Sequence, residues 1–551
     1  MFKNKKFPVY TVGFSLLAMV LAAAGVGKLS NRYADIAKNL EIFSNTVKII
    51  NDEHVDGGDP NKLVRVAIDS MLKSLDPYTN FISEAEVERY RFLENASKTG
   101  NVGAKFVKHF TQKGLTIEEV YDGHSAQKAG MQVSDRIIEI NGTNIEDKPY
   151  DLAAAMLSGS IGSKIKVAYV KSSDNSKQSA VLELQQIELP NVPYAGMLPD
   201  STTAYISLSI FTQRASANIG DALKRLQKSH KVKSVVIDLR DNGGGLLHEA
   251  IDIVNFFVPK GLSIVTTKAN VSEQDKTFRS LNEPLDVQMP VMVLINSHSA
   301  SASEIVSGSL QDLDRAVLIG QRSFGKGLVQ NYFELGFNHK VKITTARYYI
   351  PSGRCIQALD YTGDGATKIK TTDAYKTVSG RTVYGGGGVS PDLEVETFEN
   401  SPLTKALREQ HCYLDFITDY YNKHPKIEKL EQVKLTDADF NDFLAFLQKR
   451  NFSFETETEK ALRKLQKKSK SENYQSINNA IEKIDTRLST QKMNDLQQFK
   501  RLIIRNLEAE LASRYFYFSG RVQVQLRHDE EIKQALALAA NSTKYQNFLK
   551  K

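Results

Sequence analysis

Apolar residues recur every three or four positions through ADIAKNLEIFSNTVKIINDEHV, where Ile36, Leu40, Phe43 and Val47 share one face, and again through NKLVRVAIDSMLKSL. That spacing predicts amphipathic helices between Ser30 and Asn95, the second ended by Asp76-Pro77. At Thr99 the texture changes. LTIEEVY, DRIIEINGTNI, KIKVAYVK and QSAVLELQQIEL read as strands, the second closing on an Asn-Gly turn, while SAQKAGM and YDLAAAMLSG read as short helices. Past Pro190 and Pro193, strands and helices alternate: TTAYISLSIF, ASANIGDALKRLQKS, SVVIDLR, LLHEAIDIVNFF, VMVLIN, SASEIVSGSLQDL, AVLIG. These strands are apolar along their length, which predicts an α/β layer covered on both faces. Beyond Ser401 the pattern is helical and rich in charge. The expected architecture is multidomain α+β: a helical segment over 30–97, a β-rich domain over 98–188, an α/β core over 190–400 and a helical extension over 401–551.

Residues 1–28 stand apart from this fold. Lys3, Lys5 and Lys6 precede an apolar run from Pro8 to Gly27, with Ala22, Ala23 and Ala24 near its end. This is the layout of an export signal, its lysines retained on the cytoplasmic side. The run is long for a cleaved signal and just long enough to span a bilayer. Cleavage after the alanines and retention as an inner-membrane anchor both fit it. Either way the body is expected in the cell envelope, on the periplasmic side.

Composition changes the picture little. At 551 residues the chain needs several cores, and 41% hydrophobic with 25% charged residues is ordinary for a globular protein. The formal charge of +8 is spread among mixed signs, without a long basic block outside the N-terminus, so nucleic acid is not an expected partner. Two cysteines, Cys355 and Cys412, argue against a disulfide scaffold or a cysteine-held zinc.

GQRSFGKGLVQ, from Gly320 to Gln330, has the outline of a phosphate-binding loop. Such a loop needs Ser or Thr after its lysine and a helix facing the phosphates. Here Gly327 follows Lys326, and LVQNYFEL alternates like a strand, so a nucleotide is not expected. Upstream, Ser299-Ala300-Ser301-Ala302-Ser303 turns from an apolar strand into a helix, where a hydroxyl is exposed and backbone amides can meet an oxyanion. Glu304 stands at capping-box distance from Ser301, so helix capping alone would account for an isolated serine there. A second strand-to-helix loop, IDLRDNGGGLLHEA, brings three glycines that let a substrate backbone approach. His298 is read as a loop residue. HEAID, His248 to Asp252, has aspartate where a zinc-protease helix needs its second histidine, so no metal is expected.

Two resemblances follow from these residues. Strands wrapped round two helices behind the loop Val102-Gly103-Ala104-Lys105 resemble a PDZ domain, which implies that this loop offers amides to a peptide's terminal carboxylate while the peptide adds as a strand. Ser134 departs from that pattern, where a glycine is usual. SASASEI, FGKGLVQ, DLRDNGGG, TTARYYIPSGRCIQ, GVSPDLEVE and LDPYTNFIS, together with the PDZ segment, resemble the carboxy-terminal processing peptidases (tail-specific proteases) over roughly residues 35 to 396. The resemblance implies Ser301 as nucleophile, Lys326 as general base and Gln330 as the residue orienting the lysine. Ala302 and Gly244 would supply the oxyanion amides, although Gly243 stands where relatives often have proline and Gly245 can compete. An insertion-like stretch between Gln357 and Pro391 departs from the family around the site.

The dyad makes a physical demand. A free lysine titrates near ~10.4, leaving about one in two thousand neutral at pH 7, a deficit of roughly 4.6 kcal/mol. Burial, expected among Phe324, Leu328 and the following strand, would lower that pKa, and the Gln330 amide would hold the amine without adding charge. The expected protein is an exported serine endopeptidase, without cofactor, that takes protein substrates by apolar free C-termini. An inactive PDZ scaffold of the envelope is the rival reading. The helical extension suits self-association or an adaptor.

Overall fold

The computed structural model describes residues 33–84, 86, 99–121, 123–186, 191–363, 365–369, 373–396, 401–424 and 427–550. The expected export segment lies outside them, as do most of 85–98 and the linker residues 187–190. Two compact units are present: one joins the segment ending at Glu84 to Gln330–Thr344, the other joins Ala85–Val329 to Thr345–Lys551.

In the first unit, α1 (33–53) and α2 (Pro60–Lys73) occupy the stretch where the spacing predicted helices. Asp59 caps α2, accepting the Asn61 N–H at 2.9 Å, and Pro60 opens it with φ preset for a helix. Strand β1 (Asn80–Ile82) pairs antiparallel with residues 340–342. Ile36, Leu40 and Phe43, the stripe that defined α1, are exposed.

The second unit begins with a sheet of β2 (Ala104–Val107), β3 (Leu115–Val120), β4 (Arg136–Ile140), β5 (Lys164–Val170) and β6 (Lys177–Glu183), antiparallel and in that spatial order. Helix α3 (Tyr150–Ala155) packs over it, around Ile117, Ile137, Val167 and Leu182. Ser134, the departure from glycine, has φ +70°. Its hydroxyl lies 2.8 Å from Thr418 Oγ1 and accepts from Arg514 at 3.1 Å, so the side chain that strains the turn also ties it to the helical extension.

The α/β core follows. Strands β7 (Tyr194–Met197), β8 (Thr203–Ser207), β9 (Ser234–Asp238), β10 (Val291–Ile295), β11 (Ala316–Gly320) and β12 (Leu393–Glu394) lie side by side in sequence order, parallel except for β7. Helices α4 (Ala215–Ser229), α5 (Leu247–Asn255) and α6 (Ala302–Asp312) cover one face, meeting Val235, Ile237, Val291, Val293 and Leu318. Alternate residues Val236, Met292, Leu294, Val317 and Ile319 point to the other face.

That second face is covered from far along the chain. The extension forms α7 (Pro402–Glu409), α8 (Cys412–Lys423), α9 (Asp437–Lys449), α10 (Glu457–Ser471), α11 (Gln475–Gln498), α12 (Lys500–Arg527), α13 (Glu530–Ala539) and α14 (Ser542–Lys550). Helices α7 to α9 and α12 enclose their own core around Leu407, Phe440, Phe443 and Leu507. Along α10 and α11, by contrast, Leu465, Ile477 and Ile484 are exposed. Ile532, Ala535 and Leu538 of α13, with Tyr545 and Leu549 of α14, seal the outer face of the sheet. The Tyr545 hydroxyl accepts the Val291 N–H at 3.0 Å. Replacing Leu538, fully buried against the sheet, by Ala should cost about 2–5 kcal/mol in chemical denaturation. An unchanged midpoint would show that the extension does not complete this core.

Candidate active site

Three adjacent parallel strands, β9, β10 and β11, end in loops on the same edge of the sheet, where open α/β sheets place their ligand sites. The loops carry Gly244, Ser301 and Lys326 respectively. They are stitched together. Ser299 Oγ donates to the Leu239 carbonyl at 2.8 Å, the Ala300 N–H reaches the Asn242 carbonyl at 3.0 Å, and the Phe324 N–H reaches the Ser299 carbonyl at 3.0 Å.

Ser301 sits at the turn into α6 with φ +56° and ψ −111°, a conformation an L-residue adopts only under constraint. The constraint is Glu304. Its Oε2 accepts the N–H groups of both Ser301 and Lys326, each at 2.8 Å. Its Oε1 accepts the Ser323 hydroxyl at 2.5 Å and the Gly325 N–H at 2.7 Å. The carboxyl is fully buried, and that burial pushes it up to about 7 against the pull of its four donors. Capping-box spacing therefore has a second result: the box joins two loops. The Glu304 N–H itself goes to the Ser301 backbone carbonyl at 2.9 Å. Tyr348, also buried, repeats the pairing on the other side. Its hydroxyl lies 2.5 Å from the Lys326 carbonyl and 3.1 Å from that of Ser301.

The glycine loop closes against the serine. A Cβ on Gly244, which has φ +103°, would fall 2.8 Å from Ser301 Cβ and 3.0 Å from Ala302 N, so only glycine fits. One expectation changes here. The Gly244 N–H, predicted to meet an oxyanion, donates instead to Asn242 Oδ1 at 2.9 Å. This is an Asx turn, available because Asn242 lies two residues upstream. Ala302, by contrast, is the first residue of α6, where an amide has no partner within the helix. Phe324 is the other correction: expected to help bury Lys326, it is itself half exposed, while Leu328 is buried as expected. Lys326 itself is half-buried. Gln330 belongs to the first unit, where its Nε2 donates to Thr344 Oγ1 at 3.2 Å.

Comparison with known proteins decides the family. A carboxy-terminal-processing protease of Bartonella bacilliformis is 31% identical over 68% of this chain and 85% of its own length. The chain belongs to the carboxy-terminal-processing proteases. The profile "Peptidase family S41" matches residues 202–367, "PDZ domain" residues 93–169, and "Probable PDZ-protease, C-terminal helical domain" residues 403–539. A carboxyl-terminal-processing protease of Synechocystis is 32% identical over 53% of this chain and 68% of its own. Among solved structures, the photosystem II D1 C-terminal processing protease is 25% identical over 64% of this chain and 86% of its own, with a TM-score of 0.35. The chain is a serine-type peptidase with a PDZ domain.

Other residues singled out in this protease have structural partners. His298 is exposed, its Nδ1 2.9 Å from Asp241 Oδ1. Glu249, within HEAID, caps α4 by accepting the N–H groups of Arg214 at 2.7 Å and Ser216 at 2.8 Å. Cys355 and Cys412 are free thiols. In the PDZ loop, Val102 is buried and its carbonyl accepts the Ala126 N–H at 2.8 Å. The Gly103 N–H, expected to receive a carboxylate, donates to Asn101 Oδ1 at 2.8 Å, the same Asx arrangement seen at Gly244. Ala104 and Lys105 pair with β3, and Lys105 Nζ lies 2.7 Å from Glu118. Tyr150, which the sequence did not single out, opens α3 and donates its hydroxyl to the Phe106 carbonyl of β2 at 2.8 Å. That carbonyl lies on the β2 edge that an added peptide strand would use.

Because folding raises the Glu304 pKa above its unfolded value, the folded state holds this proton more tightly. Its contribution to stability is full below about 4.5 and is lost as pH rises through about 7. Denaturation of wild type should show this decline relative to Glu304→Gln, and parallel pH profiles for the two proteins would refute it. At neutral pH the Gln variant, which turns an NH2 group toward two donors, should lose at least about tenfold in kcat.

Proposed function

We propose that Ser301 is the nucleophile and Lys326 the general base of an exported peptidase that cleaves proteins near their carboxyl ends. The observation that carries this reading is the single Glu304 oxygen shared by the amides of Ser301 and Lys326, which fixes the two backbones beside each other. A neutral Lys326 amine takes the hydroxyl proton as Ser301 Oγ attacks the scissile carbonyl. Negative charge develops on the carbonyl oxygen and meets the Ala302 N–H at the positive end of α6. The lysine then returns its proton to the departing amine, leaving an acyl-serine. Water then attacks the acyl carbonyl, giving its proton to Lys326, which passes it to the departing Ser301 Oγ as the new carboxyl end is released.

Gln330 holds the lysine amine in this scheme, as the resemblance implies. The PDZ domain binds the substrate's tail. Its terminal carboxylate displaces the Asn101 side chain from the Gly103 amide, and its backbone takes the Phe106 carbonyl from Tyr150. Export is supported by the apolar run at residues 8–27 behind three lysines. Cell fractionation checks this: activity recovered only from the cytoplasm would reject it.

Ser301→Ala and Lys326→Ala should each lower kcat on a peptide with an apolar free C-terminus by on the order of a thousandfold or more, with tail binding unchanged. Undiminished cleavage by either variant would reject its assigned role. Tyr150→Phe removes one hydrogen bond, worth about 1 kcal/mol, from the groove's closed form. It should therefore tighten tail-peptide binding by roughly fivefold, and weaker binding would contradict a closing role for Tyr150.

A further inference from the structure

The C-terminal extension reaches the glycine loop through one buried arginine. Arg240 lies two residues beyond the end of β9 and two before Asn242. Its Nε and Nη2 grip both oxygens of Asp238 at 3.0 and 2.6 Å, a bidentate pair. Its Nη1 donates to Asp529 Oδ2 at 2.7 Å and also to Glu531. Both acids open α13, and their side chains are almost wholly buried. Asp529 acts twice, since its Oδ1 caps α13 by accepting the N–H groups of Glu531 at 2.9 Å and Ile532 at 3.1 Å. The approach is close: a Cβ on Gly320, at the end of β11, would stand 2.9 Å from Glu531 Oε1.

We propose that Asp529 and Glu531 are positioning residues for catalysis, holding Arg240 and through it the glycine loop that faces Ser301. This rests on the reading of Ser301 and Lys326 as the catalytic pair. A buried ion cluster adds little net stability over apolar packing, but it fixes geometry. Here the fixed point lies two residues from Asn242. The Asn242 side chain joins the Leu208 carbonyl at 2.7 Å to the Gly244 N–H at 2.9 Å. Its backbone carbonyl takes the Ala300 N–H at 3.0 Å and the Ser303 hydroxyl at 2.8 Å. A shift of Arg240 therefore reaches both the glycine run and the turn that carries the serine. Burial raises Glu531 to about 7, so near neutrality the cluster carries less negative charge than three full carboxylates would give.

Asp529→Asn keeps a helix cap while turning an NH2 group toward the guanidinium. It should lower kcat on a tail peptide about tenfold with KM within twofold, and with the same fraction of sites labelled by a fluorophosphonate. Glu531→Ala should do the same. Glu531→Gln, whose carbonyl still accepts from Arg240, should keep at least half the activity. Glu530→Gln, on the exposed side of the same turn, should match wild type. Amide hydrogen exchange over residues 238–246 should be faster in Asp529→Asn than in wild type. Unchanged kcat and exchange would overturn the proposal, as would a rate loss fully explained by fewer labelled sites. If wild type cleaves no peptide, the Ser301 reading fails and this proposal falls with it; an active wild type whose Asp529→Asn variant keeps its kcat overturns this proposal alone.

Discussion

One carboxylate sealed from solvent organises the centre of this enzyme. Glu304 receives four donors from two loops that are about twenty residues apart in sequence, and it does so at the N-terminal end of α6, where the helix favours negative charge. The strain of the Ser301 backbone, on the order of 1–3 kcal/mol, persists because this carboxylate fixes its amide. The Tyr348 hydroxyl adds a second tie, holding the serine and lysine segments by their carbonyls, and the Phe324 N–H adds a third at the Ser299 carbonyl.

Around that point the fold supplies rigidity in layers. Parallel strands deliver three loops to one edge, and Asn242 fastens two of them to each other. The insertion-like stretch is likewise anchored: Arg381 pairs with Asp314 at 2.6 Å and with Asp392 at 2.7 Å, all three side chains largely buried. The PDZ domain is docked on the extension by Arg514, which donates to the Val133 carbonyl at 2.7 Å and to Thr418 at 2.9 Å. At its groove, between β2 and α3, the Tyr150 hydroxyl meets the Phe106 carbonyl and the Asn101 side chain meets the Gly103 amide.

The sequence was most legible where the signal is local. Continuous apolar strands correctly implied a sheet covered twice, and Gly327 followed by LVQNYFEL correctly implied a strand, Leu328–Gly336, in place of a phosphate-facing helix. What it hid was competition and distance. Asn101 and Asn242 each claim a glycine amide that an anion was expected to use, and no pattern distinguishes a free amide from one already bonded by a side chain. Glu304 was visible only as a capping residue because its other partners lie more than a dozen residues downstream. Phe324 was expected to help bury Lys326 on hydrophobicity alone, whereas it is half exposed. The outer cover of the sheet comes from residues more than two hundred positions beyond β10, a separation at which periodicity carries no pairing information.

That last feature bears on the order in which the enzyme is made. Synthesis proceeds from the N-terminus, so β8 to β11 and every loop bearing the proposed chemistry leave the ribosome long before α13 and α14 do. Until those final two helices emerge, half of the sheet's apolar surface stays wet and the acids that meet Arg240 do not yet exist. The outer face of the sheet and the acidic partners of Arg240 are therefore completed only after the loops they support have been made, so in this fold the order of synthesis runs opposite to the order of dependence.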